Sequence, residues 1–63
     1  MTLDLYDKVK LKTGETAHIV EIYEQGVAYE ADVEVETGEY ETETIKHDEI
    51  LYVFAESNKK AAV

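Results

Sequence analysis

The residues best suited to binding or catalysis are seven carboxylates within residues 30–43, which read EADVEVETGEYETE. They are Glu30, Asp32, Glu34, Glu36, Glu39, Glu41 and Glu43. On both sides of Thr37-Gly38, acidic residues alternate with apolar or small ones, which is the period of a half-buried strand. Carboxylates in such rows can attract basic side chains or bind cations weakly, and a suitably placed pair can perform acid–base hydrolysis.

The alternation predicts a β-hairpin whose turn is Thr37-Gly38. The expected cross-strand pairs are Glu36 with Glu39, Glu34 with Glu41, and Asp32 with Glu43. All seven carboxylates would then lie on one face of the hairpin, and the other face would carry Ala31, Val33, Val35, Tyr40, Thr42 and Thr44. Directly opposed like charges destabilise a strand pair by about 0.2–1 kcal/mol. Retaining that cost in a small domain would indicate a benefit elsewhere, such as binding to a positively charged partner.

The overall charge narrows the range of partners. The chain has 15 acidic residues against 6 basic ones, for a formal net charge of −9, and it contains no arginine. Direct binding to nucleic acid or to an anionic membrane is not expected, because both need a basic patch. An acidic surface attracts basic proteins and accelerates their association. The alternative is that the charge simply keeps a small protein soluble.

Length and composition indicate one small domain. A chain of 63 residues is near the lower limit for a core that folds without a metal or disulfide. There is no cysteine, so disulfides and zinc–thiolate sites are not available, and a reducing cytoplasm is the expected compartment. The first residues, MTLDLYD, do not resemble a secretory signal, and no apolar stretch is long enough to cross a bilayer.

Further along the chain, alternation and turn residues predict five strands. The expected strands are residues 8–12, 15–23, 27–36, 39–45 and 50–54, with a bulge near Ile19-Val20 and a helical turn at residues 46–49. The last strand should pair with the first. The expected core is Leu5, Val9, Leu11, Ala17, Val20, Ile22, Tyr29, Val33, Val35, Tyr40, Ile50, Leu51 and Val53. Such a chain has to curl its sheet into a partly open barrel in order to bury its apolar residues.

The residues LYDKVKLKTGETAHIVEIY, followed by AYEADV, resemble a bacterial family of short stand-alone domains of unknown function. Its members read approximately LYDxVxL, a glycine turn, then VVEIY and YEVEF. The resemblance covers about residues 3–53 and implies an SH3-like barrel, which agrees with the all-β, five-stranded domain predicted over residues 1–55. The last residues, 56–63, have no periodicity and are expected to form a flexible tail. Two departures are Ala17, where a second glycine is expected, and the high density of carboxylates. The family has no assigned chemistry, so the resemblance implies no site residues.

Enzymatic and metal-binding functions have little support in the sequence. The chain has no cysteine, its one serine is Ser57 in the expected tail, and neither His18 nor His47 belongs to a recognisable triad. His47-Asp48-Glu49 are adjacent, and adjacent side chains rarely converge on one ion. No loop resembles a calcium site. We therefore expect no catalytic residue, no metal and no cofactor.

Two functions remain open. The first is an acidic interaction module that docks the seven carboxylates on a basic protein. In one form it is an inhibitor that imitates nucleic acid, like proteins that block restriction enzymes or CRISPR effectors, or like an antitoxin. The second is a structural or accessory domain that forms homo-oligomers, or binds a peptide, through its tyrosines and a strand edge.

Overall fold

Glycine turns divide the chain into strands that pair with their neighbours. The computed structural model describes residues 2–54. Gly14, Gly26 and Gly38 have φ values of +98°, +84° and +86°, a left-handed conformation that residues with a Cβ rarely adopt. Two of these turns have the same design. Gly14 donates its amide to the carbonyl of Leu11 at 2.9 Å, and Gly38 donates to Val35 at 2.9 Å, so each turn reverses the chain within three residues.

The strands form one antiparallel sheet. They are β1 (Lys8–Leu11), β2 (Thr16–Glu24), β3 (Ala28–Glu34), β4 (Tyr40–Lys46) and β5 (Ile50–Val53). The order across the sheet is β4-β3-β2-β1-β5. A single 3₁₀ turn, His47–Glu49, connects β4 to β5, and the predicted helical turn is thereby confirmed. The predicted pairing of the last strand with the first is also confirmed.

The sheet is open rather than closed. β4 and β5 lie at its two edges and do not pair with each other. The all-β antiparallel architecture is as predicted, whereas barrel closure is not observed among residues 2–54. The described residues contain no helix that is long and apolar enough to cross a membrane. The predicted tail, residues 56–63, lies outside the described residues.

One face of the sheet carries the hydrophobic core. Its buried members are Leu3, Val9, Leu11, Ala17, Ile19, Tyr29, Ala31, Val33, Ile45 and Ile50, with Ile22 and Val53 packed against them. The core prediction was wrong at Leu5, Tyr40 and Leu51, which are 48%, 53% and 56% exposed. It was also wrong at Val20 and Val35, which are only partly buried, and it omitted Leu3, Ile19, Ala31 and Ile45.

The bulge predicted near Ile19-Val20 is confirmed. The pairing of β2 with β3 shifts between Ile19, which is opposite Ala31, and Glu21, which is opposite Glu30. Val20 is the extra residue, so Ile19 and Ile22 can both point toward the core although they are three positions apart. The bulge therefore directs Ile22, rather than Glu21, toward the core.

The predicted register of the β3–β4 hairpin was wrong by one residue. Val33 lies opposite Glu41, and Ala31 lies opposite Glu43, so acidic residues do not face each other across this hairpin. The cause is Ile45, which is 3% exposed and pairs with the buried Tyr29. Ile45 shares its face of β4 with Glu41 and Glu43, and burying it moves these carboxylates to the core side of the sheet. The three-residue turn provides the required shift.

Candidate interaction surface

The structure divides the seven predicted carboxylates among three places. Glu30, Asp32 and Glu34 lie on the outer face of β3 and are called the outer row here. Glu36 and Glu39 lie at the β3–β4 turn, and Glu41 and Glu43 lie on the core side of β4. Glu30 and Asp32 are partly buried, and the other five carboxylates are exposed. The expectation of a single acidic face is therefore wrong.

Hydroxyl groups hold the outer row in position. Thr44 donates its hydroxyl to Glu30 Oε1 at 2.8 Å, and Thr42 donates to Asp32 Oδ1 at 2.7 Å. These threonines lie directly opposite their acceptors on β4. Each bond uses one carboxylate oxygen and leaves the charge in place. The carboxylates are thus oriented by the fold without being neutralised.

The two lysines on the outer face of β1 lie too far away to pair with the outer row. Lys8 and Lys10 are on the outer face of β1, and β2 lies between them and β3. Strands separated by one neighbour are about 10 Å apart, which is about one Debye length at 0.1 M salt. Lys8 instead lies over the Phe54 ring at 5.0 Å, and Lys10 donates to the Gly14 carbonyl at 3.0 Å. Among residues 2–54, no lysine forms an ion pair with any of the seven carboxylates.

The pKa of Tyr23 is raised by the carboxylates on the outer face of β2 and β3. Its hydroxyl donates to Glu30 Oε1 at 3.1 Å. This hydrogen bond, followed by desolvation and by the charges of Glu30 and Glu21, raises the pKa of Tyr23 above its ordinary value of 10.0. The cause is that ionised tyrosine would lose a donor and face two carboxylates. The outer face of β2 and β3 therefore disfavours an additional negative charge.

A second acidic surface lies where two turns meet at one end of the sheet. An open depression there is lined by residues of both the β1–β2 and β3–β4 turns. Four carboxylates surround it, and we call them the loop-end cluster: Glu15, Glu36, Glu39 and Glu41. Glu15 was not among the predicted site residues, because it is distant in sequence. The antiparallel pairing of β2 with β3, which places Thr16 opposite Glu34, brings the β1–β2 and β3–β4 turns to the same end of the sheet.

A buried polar network lies at the opposite end of the sheet. Tyr29 is fully buried, and its hydroxyl lies 2.6 Å from His47 Nδ1 and accepts the Gly26 amide at 2.8 Å. Gln25 joins this network, because its Oε1 lies 3.4 Å from the Tyr29 hydroxyl. The Gln25 side chain also accepts the Leu3 amide at 2.8 Å and donates to the Leu3 carbonyl at 2.9 Å. His47 is partly buried. The network anchors the N-terminal segment and the 3₁₀ turn to the sheet.

Other candidate sites are not supported within the described residues. Residues 2–54 contain no group of three or more histidine, cysteine or carboxylate side chains placed to hold a metal ion. Comparisons with family models, with curated proteins and with solved structures find no match for this chain. The interpretation of function therefore depends on the geometry and charge of the two acidic surfaces.

Proposed function

We propose that this domain is a non-enzymatic interaction module that binds a basic protein through the outer row and the loop-end cluster. One observation carries the proposal: seven carboxylates between Glu30 and Glu43 are exposed or partly exposed, and none is paired with a lysine of the described residues. Residues 2–54 thus present negative charge that no lysine among them neutralises. Lysine or arginine side chains of a partner would find these carboxylates accessible and partly oriented.

The fold suits such a role. We infer that the open five-stranded sheet curls as a partly open, SH3-like barrel. The bulge at Val20, the break in pairing after Ile22 and the irregular pairing of β1 with β5 support this inference, because bulges bend and twist strands. A rigid curved sheet would keep the carboxylates in place and reduce the entropy that binding has to overcome.

The observed register changes what kind of partner the carboxylates fit. Imitation of a nucleic-acid backbone was predicted from one continuous row of facing carboxylates. Three of the seven now follow β3 on the outer face, and the others lie at the turn or on the core side of β4. Two separate acidic surfaces favour a partner whose basic groups reach around the β3–β4 edge. They give less support to an inhibitor that occupies a nucleic-acid cleft.

The second function, a domain that associates through apolar and aromatic side chains, is favoured by a different part of the surface. Tyr52 and Leu51 on the edge strand β5 are 46% and 56% exposed. Tyr52 also contacts Phe54 edge-to-face, with ring centroids 5.2 Å apart. Exposed tyrosines are common in protein interfaces. If this patch is the interface, homo-oligomers should form, and the acidic surfaces should not matter.

Charge-neutral variants distinguish the two functions. One variant removes two charges from the outer row (Asp32→Asn, Glu34→Gln), and another removes two from the loop-end cluster (Glu39→Gln, Glu41→Gln). A matched control removes two exposed charges elsewhere (Glu24→Gln, Asp48→Asn). Each variant changes the formal net charge from −9 to −7, so non-specific electrostatic effects are equal.

Partners are captured from cell extract with each protein at about 50 mM and about 300 mM salt, because interactions between exposed charges are screened as salt rises. We expect basic proteins that are retained by wild type and the control at low salt, depleted by at least one site variant, and lost at high salt. A set of partners unchanged by both site variants would refute the proposal. Oligomers that persist at both salt concentrations would favour the second function.

A further inference from the structure

One side of the backbone of edge strand β4 is not paired with any other strand of the described residues. Antiparallel residues alternate between pairs that exchange backbone hydrogen bonds and pairs that do not. Val35 donates its amide to the Glu39 carbonyl at 2.9 Å, and His47 donates to the Val27 carbonyl at 2.8 Å, which fixes the phase of this alternation. In β4 the amides and carbonyls of residues 41, 43 and 45 therefore point toward β3. Those of Tyr40, Thr42 and Thr44 point away from the sheet.

Nothing among residues 2–54 pairs with this edge, because β3 is the only strand beside β4. At one end the edge is closed, since the Lys46 amide donates to Glu49 Oε1 at 2.7 Å. The open part extends from Tyr40 to Thr44 and is about 14 Å long. It is therefore long enough for an extended segment of about five residues.

The two edges of the sheet differ in how they resist additional strands. β5 has four residues, and its pairing with β1 is interrupted by a register shift. β4 has seven residues, pairs with β3 without interruption, and contains no proline. Short strands, bulges and prolines are the usual means of protecting an edge. β4 has none of these, and its protection is limited to charge.

That charge is selective. An added strand directs alternate side chains to the two faces of the sheet. On the core side its side chains would lie beside Glu41 and Glu43, and on the outer side they would lie one strand away from Asp32 and Glu34. A second copy of β4 would bring the same acidic residues together and be repelled. Lysine or arginine on the core side of an added strand would lie beside Glu41 and Glu43, whereas on the outer side Asp32 and Glu34 would be about 10 Å away.

We infer that β4 accepts an extended, lysine- or arginine-rich segment of another protein as a sixth strand. This inference rests on the proposed function and names the way in which the basic partner is held. Backbone hydrogen bonds to Tyr40, Thr42 and Thr44 supply part of the affinity, and the carboxylates select positive side chains. The observed register places Glu41 and Glu43 on the core side of this edge, beside the alternate side chains of an added strand.

Matched peptides test the inference. The probe is a synthetic peptide of about seven residues, composed of lysine and threonine and longer than the open edge. Its control has the same side chains but carries N-methyl groups on two consecutive central amides. In any register one of these methyl groups would point at β4, where it blocks the ladder without changing charge.

A pair of protein variants provides the second arm. Thr42→Pro removes an amide that points away from β3, so no backbone hydrogen bond between β3 and β4 is lost. Thr42→Val keeps that amide and, like the proline variant, lacks the hydroxyl bonded to Asp32. Binding is measured by amide chemical shifts at about 50 mM salt, where exposed charges are weakly screened. Amide hydrogen exchange at Tyr40, Thr42 and Thr44 is recorded in parallel.

We expect the unmethylated peptide to bind wild type and Thr42→Val equally, and to slow exchange at all three edge amides of wild type. Binding should weaken at least about tenfold for the methylated peptide and for Thr42→Pro, because ladder hydrogen bonds are lost. If Thr42→Pro fails to fold, the methylated peptide still decides the question. Equal binding of the two peptides would overturn strand addition and leave the electrostatic proposal standing.

Two further results have a defined meaning. Failure of both peptides to bind at low salt would overturn the proposed function together with this inference. A wild-type dimer that dissociates in Thr42→Pro would overturn the inference by assigning the edge to a second copy of the chain.

Discussion

Replacement of Ile45 by alanine tests the register of the β3–β4 hairpin, on which both acidic surfaces depend. Ile45 is 3% exposed and lies opposite Tyr29, which is fully buried. The substitution removes three carbon atoms, worth about 0.8 kcal/mol each in transfer free energy, and leaves a cavity that adds to this cost. We expect the free energy of unfolding to fall by about 2–4 kcal/mol.

That loss is large for this chain. At about 0.05–0.15 kcal/mol per residue, 63 residues give a total stability of about 3–9 kcal/mol. In urea, with a slope of about 1 kcal/mol per M for so small a domain, the unfolding midpoint should fall by about 2 M or more. Circular dichroism of the sheet across a urea series measures it directly.

Thr44→Ala is the control, because Thr44 is adjacent in sequence and lies on the exposed face. Its hydroxyl donates to Glu30 at 2.8 Å, and losing that single hydrogen bond should cost about 0.5–1.5 kcal/mol. If Ile45→Ala costs no more than Thr44→Ala, then Ile45 is not in the core. The register would then revert to one in which the carboxylates face each other, and the division into two acidic surfaces would be wrong.

Two other predictions concern hydroxyl groups. Tyr29→Phe removes a buried hydroxyl that lies 2.6 Å from His47 Nδ1 and accepts the Gly26 amide. The free energy of unfolding should therefore fall by about 1–3 kcal/mol. Thermal unfolding measures this change, and an unchanged melting temperature would contradict the hydrogen-bond network. The pKa of Tyr23 should exceed 10.0 in wild type and fall toward 10.0 in Glu30→Gln, as measured by NMR titration of the ring. The same pKa in both proteins would show that the hydrogen bond from Tyr23 to Glu30 does not form in solution. Because folding raises this pKa, the associated stabilisation is present below pH 10 and is lost as pH rises through the folded-state pKa.

The strand pattern could be predicted from the sequence because it depends on local chemistry. Alternation and turn glycines placed β2 within one residue of its observed bounds, Thr16–Glu24, and placed β4 equally closely, at Tyr40–Lys46. The bulge at Val20 was predictable because two large apolar residues in succession cannot both face the core. The net charge of −9 and its concentration in residues 30–43 are also properties of the sequence alone.

The faces of the strands were decided by tertiary packing. The alternation in residues 30–43 is compatible with a two-residue or a three-residue turn, and the choice between them reverses the direction of every side chain on β4. Ile45 determines this choice, because it lies on the same face of β4 as Glu41 and Glu43. Whether Ile45 is buried depends on its packing against Tyr29 and the rest of the core, which the local sequence does not reveal. The same holds for Leu3, which is buried in the core and whose backbone is bound by Gln25, 22 positions away.

The sequence therefore determined how many strands form, where they turn and how much negative charge they carry. Only the tertiary structure decided on which side of the sheet each carboxylate lies and that β4 is an edge strand of the sheet formed by residues 2–54. The physical reason is that strand formation depends on neighbouring residues, whereas register and sheet order depend on which apolar side chains, distant in sequence, are buried together.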